Sequence, residues 1–355
     1  MISSLKESFM KRKKTPSWTF RYTVVTILTL LAFLLTHENR EKRVIFGKSD
    51  MVEQIGSDPI QILDRTIRRI EKLESLTAKI NLHAHIGSVA LDGSGIYEEL
   101  FLRPDAGEQR AHTLCYGGTS LFRLHLELAR TNEPSTENQE ENLLDIVCDK
   151  NTLWTYTQIE GEKKLTELKL GEMAAILIQA CDNEDERKRL ALNQMTFPIP
   201  LAGFPGLGGI TGTLRSLKTW YEFGDEVVVV SMRGGGSSLS AWRITGRLKS
   251  EAYEKSVQTL LSKNAGARKK YMNQFPSLVE VYISREYEFP YRICYYSVPE
   301  PKSRKKEKLI TLDLTDVYEN HFSVTQESFF YSPGGLNSTD VTRSYIEKLI
   351  PGIEF

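Results

Sequence analysis

His83 and His85 stand two residues apart in an alternating stretch, so both imidazoles leave one face of a strand, where two nitrogens could approach a metal ion. A metal site needs a third ligand that no nearby spacing supplies, and the pair reads first as the polar outer face of a half-buried strand. The four cysteines, Cys115, Cys148, Cys181 and Cys294, lie far apart without a C-x-x-C pair, which excludes a zinc ribbon or a thioredoxin-type redox site. They read as small buried apolar residues, although an oxidising compartment would leave one or two bridges open to them in any of three pairings. In Gly206-Leu-Gly208-Gly209-Ile-Thr-Gly212, Thr211 stands where a dinucleotide loop needs glycine, and no Gly-Lys-Ser/Thr ending follows. Gly234-Gly235-Gly236 joins two strong strands and reads as a hairpin loop. There is no G-x-S-x-G elbow and no H-E-x-x-H helix, and the carboxylates fall mostly in polar loops or helices. The expectation is a protein without catalytic residues, metal or cofactor.

The elements that would position any site belong to a folded chain. Its 355 residues are 40% hydrophobic and 26% charged, enough to bury a full core. Basic and acidic side chains balance at 46 each, so there is no overall field to attract nucleic acid, which is not an expected partner.

Residues Tyr22 to Thr36 carry no charge, and the stretch from Trp18 contains only Arg21, giving about 28 Å of helix at 1.5 Å per residue. Lys6, Lys11, Arg12, Lys13 and Lys14 precede it, whereas Glu38, Arg40, Glu41, Lys42 and Arg43 follow, so the positive-inside rule puts the N-terminus in the cytoplasm. The sequence predicts a basic stub over 1–17, a transmembrane signal anchor over 18–36, a polar tether over 37–57 and an exported domain over 58–355. The expectation is a single-pass inner-membrane protein with its C-terminal domain in the periplasm or an equivalent exported space. A cleaved signal peptide is the alternative, although Leu34-Leu35-Thr36-His37-Glu38 offers no small-x-small site.

Asp58-Pro59 then caps a helix whose Ile60, Leu63, Ile67, Ile70 and Leu73 form one apolar stripe. Beyond it the period becomes two. Ala78, Ile80, Leu82, Ala84 and Ile86 alternate with polar residues, as do Phe122, Leu124, Leu126 and Leu128. Leu143 to Cys148 and Thr152 to Tyr156 flank Asp149-Lys150-Asn151 as a hairpin. Further strands are predicted at Gly95–Phe101, Arg110–Tyr116, Leu165–Leu170, Glu226–Met232, Ser240–Leu248, Leu278–Ile283, Tyr291–Ser297 and Leu309–Val317, about eleven in all, joined in order as a meander. Thr131–Asn142 and the basic Pro299–Lys308 read as solvated tips, the second with anionic headgroups as an alternative contact. Asp182–Gln194 reads as a short helix. The glycine- and proline-rich apolar run Phe197–Gly212 is neither a regular strand nor a polar loop.

Several of these pieces together resemble a known family. The hairpin Val147-Cys-Asp-Lys-Asn-Thr-Leu-Trp-Thr-Tyr156, with its Asp-x-x-Thr-Leu-Trp-x-Tyr core, and the closing stretch from Val317-Tyr-Glu-Asn320 to Phe329-Phe-Tyr-Ser-Pro333 look like the periplasmic lipoprotein carrier family, the LolA-like proteins. With the membrane-targeted N-terminus, the amphipathic helix and the Ala78–His85 alternation, the likeness covers roughly Asp58 to the C-terminus. It implies an α+β fold, a strongly curved, unclosed antiparallel half-barrel whose concave apolar face is covered by helices and a lid and holds acyl chains. Two departures stand out: soluble carriers leave the membrane whereas this chain is read as anchored, and it carries an additional glycine-rich segment and longer loops.

The alternation nominates Ile80, Leu82, Phe122, Leu124, Leu126, Trp154, Tyr156, Trp242 and Ile244 for the inner face, with Phe204, Leu207 and Ile210 as the lid. The same residues could equally form a dry, packed core. The expected partners are lipid or lipoprotein acyl chains, the membrane through the N-terminal helix, and an envelope protein. The alternative function is an envelope sensor that recognises lipids or lipoproteins and signals through a protein partner.

Overall fold

The computed structural model describes residues 58–86, 89–102, 120–130, 142–149, 151–159, 161–180, 209–234, 237–250, 276–297, 306–321, 323–332 and 334–349. The expected stub, anchor and tether, the strand Arg110–Tyr116, the helix Asp182–Gln194, the lid residues Phe204 and Leu207, and Cys115 and Cys181 lie outside them. Among the described residues no helix is long and apolar enough to cross a membrane.

Helix α1 (Pro59–Ile70) starts where its sequence says it should. The Asp58 carboxylate accepts the Ile60 amide at 2.9 Å, and Pro59 occupies the first turn, where its missing N–H costs nothing. Ile62, Leu63, Ile67 and Ile70 are buried, each worth roughly 1.5–3 kcal/mol if taken fully from water. The chain then builds a meander of six antiparallel strands: β1 (Ser75–Ile86), β2 (Val89–Phe101), β3 (Ser120–Arg130), β4 (Asn142–Cys148), β5 (Thr152–Ile159) and β6 (Glu162–Lys169). Asp149 Oδ1 accepts the amides of Asn151 and Thr152 and so closes the β4–β5 turn.

From β6 the chain enters α2 (Leu170–Ala180) and later α3 (Gly209–Trp220), which carry it to the opposite edge of the sheet. There a second meander runs β7 (Tyr221–Gly234), β8 (Ser237–Leu248), β9 (Leu278–Ser284), β10 (Pro290–Ser297) and β11 (Glu307–Glu319), and β11 pairs antiparallel with β1. Two meanders therefore stand where one was expected. A short β12 (Ser338–Asp340) adds in parallel to β6, giving the order β12-β6-β5-β4-β3-β2-β1-β11-β10-β9-β8-β7. The end strands β7 and β12 do not pair with each other, so the sheet is an unclosed half-barrel.

The C-terminal stretch locks the β6 edge. Thr342 Oγ1 accepts the Lys169 amide, Lys169 Nζ lies 2.7 Å from Asp340 Oδ2, and α4 (Thr342–Leu349) buries Tyr345 and Ile346 in the main core. The hydrogen bond from Lys169, followed by that from Thr342, holds the Asp340 carboxyl down at about 2. Neither α2, α4 nor β12 was expected from periodicity.

The two faces of the sheet differ as the alternation requires. Outward lie polar contacts: a hydrogen bond between His83 Nδ1 and Asp92 Oδ1 at 2.7 Å, and ion pairs of Lys79 with Asp316 at 2.7 Å and Arg123 with Asp145 at 2.8 Å. His83 and His85 share this face, and among the described residues no group of three or more His, Cys, Asp or Glu side chains is arranged to hold a metal ion. Cys148 belongs to the inner core and Cys294 to an outer cluster, so the sheet separates them.

Candidate functional site

Six of the nominated residues meet on the inner face. Ile80 and Leu82 of β1, Phe122, Leu124 and Leu126 of β3, and Ile244 of β8 join one apolar cluster and expose no more than 1% of their surface. Trp242 sits on the same face between Val229 and Ile283, half-buried, with the Arg65 guanidinium 5.4 Å above its ring. Helices α1 and α3 cover this face. Two ion pairs join them, Asp64 with Lys218 and Glu71 with Arg215, and Arg69 ties α1 to the sheet through a two-pronged contact with Glu319 at 2.6 and 2.9 Å.

Three nominations need correction. Trp154 and Tyr156 lie on the outer face, because Leu153 pairs with the inward Cys148 and Thr155 with the inward Ile146, which turns the even positions of β5 outward. Trp154 packs instead in an outer cluster with Val147, Val324 and Phe329, stacks on Tyr331 with ring centroids 5.7 Å apart, and donates its indole N–H to Asp149 at 3.1 Å. Aromatic bulk suggested the core, but the C-terminal segment laid across β3–β5 supplies a second apolar layer outside. The third correction concerns Ile210, which lies not in an irregular lid but in the first turn of α3.

The first turn of α3 rests on polar residues that the alternation left unnominated. Tyr97 and Glu99, both wholly buried, occupy inward positions of β2, opposite Leu124 and Phe122. The Tyr97 hydroxyl donates to Glu99 Oε2 at 2.6 Å, and the Ile210 amide points at both, 3.1 Å from Tyr97 Oη and 3.4 Å from Glu99 Oε2. A carboxyl thus meets the positive end of a helix inside an apolar face, the orientation a helix dipole favours. Burial first, then the charge and hydrogen bond of Glu99, push the Tyr97 phenol well above its ordinary value, so it stays a donor. Gly209 makes this approach possible at φ +61°, since a Cβ there would fall 2.3 Å from Glu99 Oε1. The available signal was parity: an acid at an inward strand position next to Phe101 has to be answered by a donor from elsewhere.

A second buried carboxyl, Glu280, lies on the outer face of β9. It accepts hydrogen bonds from Tyr282 at 2.9 Å, Tyr296 at 2.8 Å and Lys306 at 2.6 Å. Burial alone would raise Glu280, but these three donors outweigh it and hold the carboxyl below its usual value. The cluster is closed by its own hydrogen bonds.

No protein-family model matches the sequence, and no curated protein matches it. Among solved structures, the chain is similar to an outer-membrane lipoprotein-sorting protein domain from Vibrio parahaemolyticus, at 8% identity and a TM-score of 0.29, with 76% of this chain and 95% of that one covered. It is similar also to a LolA superfamily protein from Nitrosomonas europaea, at 9% identity and a TM-score of 0.25, covering 78% and 98%. LprF from Mycobacterium bovis gives 8% identity and a TM-score of 0.31, covering 72% and 91%.

Proposed function

We propose that the inner face binds acyl chains of a lipid or lipoprotein without catalysis. The observation that carries this reading is the cover. The face from β3 to β8, apolar apart from Tyr97 and Glu99 of β2, is covered among the described residues by two helices joined to each other through half-exposed ion pairs, a seam that can part without breaking a strand ladder. Acyl chains need apolar area and shape rather than tuned acids and bases, and the inner face offers that. In the same reading, residues 18–36 hold the chain in the inner membrane and residues 58–355 work in the periplasm on lipid or lipoprotein traffic.

A test is direct. Full chain purified in a bile-salt detergent, which has no acyl chain of its own, should carry extractable acyl lipid and bind a fluorescent alkyl probe. Neither lipid nor probe binding would refute the reading. Protease added to spheroplasts should remove residues 58–355, and protection of that region would refute the topology.

A second reading, an envelope sensor that signals through a protein partner, draws on Phe330. This side chain is 75% exposed at the end of the outer C-terminal segment, an apolar group offered to solvent beside the Trp154–Tyr331 stack. Crosslinking from Phe330→Cys to an envelope protein in the absence of bound lipid would favour it.

A further inference from the structure

Trp242 carries a buried donor with nothing to donate to. Its Nε1 is shielded from solvent and has no hydrogen-bond acceptor among the described residues. Trp154, by contrast, spends its indole N–H on Asp149. A shielded indole N–H nearly always finds an acceptor in a folded protein, and among the described residues this one is left without. The side chain above its ring cannot serve: Arg65 has donors only, and it faces the ring rather than the N–H edge. On the same helix as Arg65, Thr66 is wholly buried, and its hydroxyl also has no partner among the described residues.

The surroundings restrict what the acceptor can be. Arg65 is matched by Glu288, with Nε 3.1 Å from Oε1, so the local charges cancel and a neutral acceptor suits the place better than an anion. Along β8 the next inward residue is Ile244, beside Val281 and Val227, all fully or almost fully buried. Where the covering helices part, a ligand accepted at Trp242 meets apolar side chains next. A carbonyl oxygen at the head of a hydrocarbon chain has this chemistry.

Resting on the acyl-binding reading above, we infer that Trp242 Nε1 is the polar anchor of the inner face and donates to the ester carbonyl of an acyl chain whose hydrocarbon runs along Ile244. The site recognises the ester linkage and not only the apolar length of its ligand.

Dipalmitoyl phosphatidylglycerol and its dihexadecyl ether analogue differ in those carbonyls and keep the same headgroup. Each is to be titrated against a fluorescent alkyl probe bound to the full chain in bile-salt detergent. The wild type should prefer the ester by about fivefold to tenfold, the worth of one neutral hydrogen bond. Trp242→Phe, which keeps a ring under Arg65, should lose the preference, whereas Trp154→Phe on the outer face should retain it. Equal affinity of the wild type for both lipids, or a preference that survives Trp242→Phe, overturns the anchor and leaves acyl binding standing. Displacement of the probe by neither lipid removes the acyl-binding reading and the anchor together.

Discussion

Gly209 and Glu99 approach so closely that the first turn of α3 tolerates no side chain: a Cβ on Gly209 would lie 2.3 Å from Glu99 Oε1 and 2.8 Å from Tyr97 Oη. Gly209→Ala combines that overlap with a positive φ of +61°, and should lower unfolding stability by about 2–4 kcal/mol. At Gly334, with φ +56°, a Cβ would have nothing within 4 Å among the described residues, so Gly334→Ala should cost only the backbone term, about 1–2 kcal/mol. Urea denaturation of the two variants side by side checks this. Equal losses would mean that α3 does not rest on Glu99 in solution.

The position of Trp154 yields a prediction opposite to the one its sequence suggests. Trp154→Ala strips an outer cluster and the stack on Tyr331, and should cost about 1–3 kcal/mol, less than the roughly 3–5 of a fully buried tryptophan. Binding of an alkyl probe to the inner face should be unchanged once the variant is folded. A loss of probe affinity without a loss of stability would place Trp154 back at the ligand.

These two residues mark what the sequence could and could not reveal. Strand periodicity identified the half-buried strands because one face of each is apolar and the other charged, and it set Ile80, Leu82, Phe122, Leu124 and Leu126 correctly on the inner side. It failed at β5, where both faces are covered and alternation no longer says which is inside. It could not join two meanders through β1 and β11, since that pairing spans more than two hundred residues and leaves no local trace. The first turn of α3 was hidden by its glycines, which are poor helix formers and are there for close approach. Glu99 went unread because its partners, Tyr97 and the Ile210 amide, come together only through the fold.

Glu280 makes the protein acid-sensitive in a defined direction. Its carboxyl is held below the unfolded value of about 4.3, so its contribution is fully present above that pH and is lost as pH falls through the lower folded value. Lys306→Met removes the cation and leaves burial in command, which raises the folded value. The acid-unfolding midpoint should then move to higher pH, with about 1–3 kcal/mol lost at neutral pH. A pH series of denaturation curves measures both. An unmoved acid midpoint would show that Tyr282 and Tyr296 hold the carboxylate unaided.

The seam between α1 and α3 is the last point at which stability and function should separate. Side chains of the Asp64–Lys218 and Glu71–Arg215 pairs are 28–39% exposed, so each pair contributes no more than about 1 kcal/mol and weakens with salt. That is small for the fold but large for an equilibrium between closed and parted helices, where about 1.4 kcal/mol is a tenfold change in population. Asp64→Asn with Glu71→Gln should therefore lower stability by at most about 2 kcal/mol while raising alkyl-probe affinity severalfold, and salt should do the same to the wild type. Conversely, cysteines at positions 64 and 218 joined by a short bismaleimide should slow probe uptake without changing the fold, with reagent-treated wild type as control. If neither weakening nor crosslinking the seam alters uptake, the acyl chain enters by another route, since a seam that gates the inner face has to respond to both.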